Sequence, residues 1–166
     1  MCYQQMQKVC TRIGTERPRY VIIAFQTNKS GDQNGNVLLF DHCDVKNIFI
    51  SLNPERYPAV DYNLSFPNQQ FLRAYRDAAV FNGKLYGMNE MITQSNINPS
   101  DYKNLYSVFV FDVNKKSEKL LSGSVKIKIP ATFNTAVPAG TVAVVVTISD
   151  KILQLQSDGR NFYSVY

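Results

Sequence analysis

The chain has no tryptophan, one histidine and only three cysteines in 166 residues. Its eight glycines are dispersed, so no phosphate-cradling loop, Walker sequence or dinucleotide fingerprint can be assembled from them. No run of about 18 apolar residues occurs, which excludes a membrane-spanning helix. The opening MCYQQMQKVC has no apolar h-region, so no secretory signal is read. Cys2, Cys10 and Cys43 are an odd set without a signal. They read as reduced thiols in a reducing compartment rather than a disulfide framework. The sequons at Asn28-Lys-Ser30 and Asn63-Leu-Ser65 then carry no meaning. The net charge of +5 is mild and its basic residues are scattered. A nucleic-acid module would usually show an aromatic-interleaved basic stripe, so nucleic acid is not directly implied.

What is present is globular and rich in aromatics. Hydrophobic residues make up 45% of the chain and charged residues 19%, with ten Tyr and ten Phe. Aromatic residues suit strands. A chain this long fits one domain and can bury roughly 70% of its unfolded surface. Residues 1–16 are polar and weakly patterned, and read as an N-terminal arm or edge strand. Residues 17–166 read as a single domain.

Along that domain the hydrophobic period is mostly two. Tyr20 to Thr27 is apolar on both faces, as in a central covered strand. Asn34-Gly35 is a turn signal. In Val45 to Asn53, Ile48, Ile50 and Leu52 share one face, and Asn47, Ser51 and Asn53 the other. Asp61 to Phe66 reads as a further short strand. The period then changes. Phe71, Ala74, Tyr75, Ala78, Phe81 and Leu85 fall at helical spacing. This predicts one helix over about 69–86, with Asn68 as N-cap and Gly83 or Gly87 near the end. Residues 87–104 read as loop, with a turn at Asn98-Pro99. Strands return at 108–111, 125–129, 141–149, 152–156 and 162–166. About eight strands and one helix make an all-β, antiparallel jelly-roll β-sandwich.

Searching the chain for chemistry finds two near misses. Asp41-His42-Cys43-Asp44 holds residue types that ligate metals or attack carbonyls. Neighbours in a strand point to opposite faces, and no CxxC or HxxxH supplies a zinc set. This cluster reads as a strand entrance whose polar side chains cap backbone groups. Asp32-x-Asn34-x-Asn36 approaches a calcium loop, but Val37 stands where glycine is required and Cys43 where glutamate is required. It reads as a polar hairpin loop. No catalytic residue, cofactor or metal is assigned, and no enzymatic activity is expected.

Several stretches together carry a resemblance. They are Arg17-Pro-Arg-Tyr-Val-Ile-Ile-Ala-Phe-Gln-Thr27, Phe40-Asp-His-Cys-Asp44, Leu52-Asn53, Tyr57-Pro58, Asn63-Leu-Ser-Phe66, Phe111-Asp112 and Ser149-Asp-Lys-Ile152. Over about residues 17–156 the chain resembles the C-terminal jelly-roll half of the double jelly-roll major capsid proteins of Maverick/Polinton-type (adintovirus-like) elements. The resemblance implies a structural protein that acts by self-assembly. Its partners would be copies of itself or a related jelly-roll capsid subunit, three chains forming a pseudo-hexagonal capsomer. Its place would be a virion capsid, or the cell interior if the domain is host-co-opted. The first jelly roll of such proteins is not expected in this chain. Candidate interface anchors are Tyr57, Tyr62, Tyr102, Tyr106, Phe162, Tyr163 and Tyr166. The rival expectation is a ligand- or carbohydrate-binding β-sandwich, which would need an exposed row of aromatics on one sheet face.

Overall fold

Strand β2 (Arg17–Thr27) lies between β6 (Val108–Asp112) and β9 (Thr141–Asp150) in a three-stranded antiparallel sheet. The computed structural model describes residues 9–13, 17–29, 36–52, 55–87, 97–113, 125–150, 154–157 and 162–165. The central position of β2 agrees with its two-faced apolar pattern. Val21, Ile23 and Phe25 point into the core with 0, 1 and 1% exposure. Tyr20 and Ala24, on the other face, are also buried.

The opposing sheet has four strands in the order β1 (Val9–Ile13), β7 (Val125–Ile129), β4 (Ile50–Leu52) and β5 (Glu55–Tyr57), all antiparallel. A two-stranded pair, β3 (Val45–Ile48) and β8 (Ala131–Phe133), continues from it. The 45–53 strand is therefore interrupted at Phe49. The cause lies across the ladder. Ile48 faces Ala131 and Ser51 faces Lys128, which puts Phe49 opposite Pro130. Proline has no N–H to donate, so one rung is lost. Phe49 N still donates to Pro130 O at 3.2 Å. The alternation survives the break: Ile48, Ile50 and Leu52 are all at 1% exposure or less. A hairpin of β10 (Gln154–Ser157) and β11 (Phe162–Val165) follows. The turn expected at Asn34-Gly35 lies outside the described residues, as does Asp32 of the calcium-like loop.

Four expectations need correction. The helix over 69–86 is two helices, α1 (Leu72–Ala79) and α2 (Phe81–Tyr86), divided at Val80. Asn68 does not cap it. Its side chain donates to Ser65 Oγ at 3.0 Å, while Phe71 occupies the N-cap position without a side-chain bond. Gly83 sits inside α2, and Gly87, at φ 64°, closes it. Residues 97–104 are not all loop: Pro99–Asn104 form α3. Asn98 Oδ1 accepts from Asp101 N at 2.8 Å and Pro99 starts the helix, the favoured N-cap and N1 pair. Asp61–Phe66 is not a strand. Asn63 has φ 51°, and only Ser65 makes a bridge, to Gln70.

The two sheets face each other across one core. It contains Val21, Ile23, Phe109 and Phe111 from one side and Ile50, Leu52, Ile127 and Ile129 from the other. The fold is thus an all-β antiparallel sandwich with short helices at its flank. Phe71, Ala74, Tyr75 and Ala78 turn the α1 face inward, and α1 packs along β6. Aromatic rings tie these parts together. Phe66, fully buried, stacks on Phe71 at 5.4 Å and on His42 at 4.4 Å, and meets Phe109 edge-on at 6.5 Å. Phe71 continues to Tyr102 at 6.0 Å, and Tyr102 to Tyr75 at 5.5 Å. Replacing Phe66 by alanine removes the middle of this column. Urea denaturation of Phe66→Ala should show a loss of about 3–5 kcal/mol; a loss under about 1 kcal/mol would contradict this role.

Candidate assembly surface

The Asp41-His42-Cys43-Asp44 segment is a built turn. Cys43 and Asp44 both have φ 45°, and β3 begins only at Val45. The side chains serve the backbone. Asp41 Oδ2 accepts from Thr27 N at 2.9 Å, and His42 Nδ1 from Asp44 N at 2.8 Å. Asp44, 8% exposed, accepts from Phe66 N at 3.4 Å and from Asn134 Nδ2 at 3.2 Å. Lys29 reaches Asp41 Oδ1 at 3.3 Å and Leu39 O at 2.6 Å. An open hollow of about 390 Å³ adjoins His42, Cys43, Asp41 and Lys103. Burial pushes the Cys43 thiol up, with Thr27 bonding opposing it and Asp41 adding to it. A raised thiol is a poor nucleophile at neutral pH. Among the described residues, no group of three or more His, Cys, Asp and Glu is placed to hold a metal ion.

The seven candidate anchors scatter. Tyr57 and Tyr62 come together beside a cavity of about 140 Å³, whose walls include Tyr20, Phe81 and Phe111. Tyr62 donates to Asp77 Oδ2 at 2.8 Å and its ring meets Phe111 at 6.2 Å. Burial pushes its phenol up, and Asp77 adds to that. Tyr57 donates to Glu55, and burial with that carboxylate pushes its phenol up to about 12. Both hydroxyls are thus engaged within the chain. Tyr102 is 1% exposed and donates to Val108 O at 3.0 Å. It is a core residue, which corrects its reading as a surface anchor. Tyr106 is half-buried and bridges to Phe40. Phe162 and Tyr163 lie on β11, opposite Ser157 and Gln156. Tyr166 lies outside the described residues.

The surface that stands out was not among those candidates. In the β2–β9 ladder, Ile22 faces Val146, Ala24 faces Val144 and Gln26 faces Val142. These residues share the outer face of the three-stranded sheet. At its β6 end that face is screened by α2, where Phe81 meets Tyr20 at 5.1 Å. At its β9 end it is open: Val142, Val144 and Val146 are 54, 37 and 50% exposed. The sequence signal was the β-branched run from Thr141 to Ser149. An apolar pattern on both faces ordinarily marks a covered strand, so the run did not read as surface.

Among the described residues, no helix is long and apolar enough to cross a membrane. A family model described as a double jelly roll-like domain matches residues 3–153. That span holds β1 to β9 and α1 to α3. No curated protein and no solved structure matches the chain.

The turn generates a pH prediction. Burial holds His42 below its ordinary value of 6.5, against the upward pull of Asp44 and Asp41, with Lys103 also lowering it. The folded chain therefore binds this proton less readily than the unfolded chain. Stability linked to His42 is complete above pH 6.5 and falls as pH drops below it toward the folded value. Thermal melts of the native chain should lose stability over that window, and His42→Gln should flatten the loss. An unchanged slope in His42→Gln would refute the assignment.

Proposed function

The chain belongs to the double jelly roll-like domain family, and from that membership we propose that it is a structural, capsid-type subunit. It works by association with copies of itself or with a related jelly-roll subunit, and not by catalysis. The observation that carries this reading is the open valine face of β9, set on a rigid sheet. Exposed contiguous apolar surface marks interaction sites, and here it is held by a strand paired to β2 over ten register positions. The polar cluster at Asp41–Asp44 supports the same reading, because its hydrogen bonds hold the backbone. Within the family, the stretches Arg17–Thr27 and Phe40–Asp44 favour the C-terminal jelly roll of Maverick/Polinton-type major capsid proteins. Those stretches are the central strand and the built turn, the two features on which the sandwich closes.

A glycan-binding module would place an aromatic row on its open sheet face. The open face of β9 carries valines, which favours a protein partner. Sedimentation velocity of the purified chain across a concentration series tests the proposal. The expected result is a concentration-dependent shift from monomer to oligomer, extending to larger particles when a related jelly-roll subunit is added. A strict monomer at high concentration, together with glycan binding, would overturn it.

A further inference from the structure

β9 has ten residues. Among the described residues it pairs with β2 alone, so one long edge has no strand beside it. Such an edge presents N–H and C=O groups in a row, and proteins usually blunt it with charge, proline or a bulge. From Thr141 to Ser149 there is no charged residue and no proline. The one irregularity in the β2–β9 ladder lies at its far end, between Pro18 and Tyr20. The inward side chains are also incompletely covered. Ala143 and Val145 pack against the core yet remain only half-buried. A strand with these properties resembles one that lies inside a sheet, not at its edge.

The sequence of this edge names its partner. Thr141 to Thr147 reads TVAVVVT, which is nearly the same in both directions. An antiparallel pairing with a second copy about a two-fold axis at Val144 sets Thr141 opposite Thr147 and Val142 opposite Val146. Ala143 then faces Val145, and Val144 faces its own copy. Every pair falls on a common face, because side chains alternate with period two. Cross-strand β-branched pairs are favourable. A two-fold interface must be self-complementary in this way, whereas a foreign strand gains nothing from the palindrome.

We propose that two copies pair antiparallel through their β9 edges about a two-fold axis at Val144. The two three-stranded sheets become one six-stranded sheet, and the open faces join into a single stripe of valines. This rests on the reading of the chain as a self-associating subunit, and it names the surface used. Each copy carries a net charge of +5, so the pairing strengthens as salt screens the repulsion.

Cysteine cross-linking tests the register. Paired Cα atoms in an antiparallel ladder lie roughly 4.5–5.5 Å apart, within disulfide reach. Val144→Cys should cross-link to its own copy under mild oxidation, with peptide mapping to separate this bond from those of the natural cysteines. Val142→Cys alone should not, but a mixture of Val142→Cys with Val146→Cys should. As a second measurement, Val144→Lys places like charges opposite each other and should weaken dimerisation on the order of tenfold. Circular dichroism should remain unchanged, since Val144 is exposed. Oligomers that persist in Val144→Lys, with no selective cross-link at 144, would overturn the pairing and leave the assembly reading standing. A native chain that associates neither with itself nor with a related jelly-roll subunit would overturn the assembly reading itself.

Discussion

The stacking of Phe66 between His42 and Phe71 is the contact on which the sandwich depends. His42 belongs to the turn that launches β3, and Phe71 opens α1. Phe109, which meets the same ring edge-on, comes from β6. One buried side chain therefore joins the turn, a sheet and the helical flank. The backbone reinforces it: Phe66 N donates to Asp44 Oδ1, and Asn134, beyond β8, reaches the same carboxylate. These two bonds to Oδ1 offset the cost of burying Asp44. The polar tetrapeptide that looked most like chemistry is thus committed to holding the core.

With the core closed by that column, the molecule's unfinished side lies elsewhere. Among the described residues, one of the two facing sheets has four strands and the other three. The α1–α2 pair covers the β6 flank, and β9 lacks such cover among the described residues. A β-sheet with an uncovered apolar edge tends to recruit another strand. The proposed capsid-type role would give that tendency a use, since a shell subunit requires flanks that stay open until they meet a neighbour. Aromatic anchors do not dominate this surface. Tyr102 is consumed by the core, and Tyr57 and Tyr62 bond within the chain.

Much of the fold was legible because local pattern and global packing agree. The two-faced apolar run at 20–27 became the central strand, and the alternation of Ile48, Ile50 and Leu52 became a core face. The inward face of α1 was legible from helical spacing. The division at Val80 was not, since neither proline nor glycine marks it. Asn98-Pro99 opens α3; the same dipeptide serves turns and helix starts, and only the side-chain bond to Asp101 decides between them. The interruption at Phe49 depends on Pro130, some eighty positions away, and becomes visible only with the register. The β9 surface was hidden for a related reason. Apolar residues on both faces signal burial, and a sequence does not distinguish burial within a chain from burial between chains.

Hydrogen–deuterium exchange at increasing protein concentration tests the central claim most directly. The expected result is that β2 amides are protected at every concentration, while the outward-facing amides of Thr141–Ser149 gain protection as concentration rises. Concentration-independent exchange across β9, with protection gained on another surface, would contradict it.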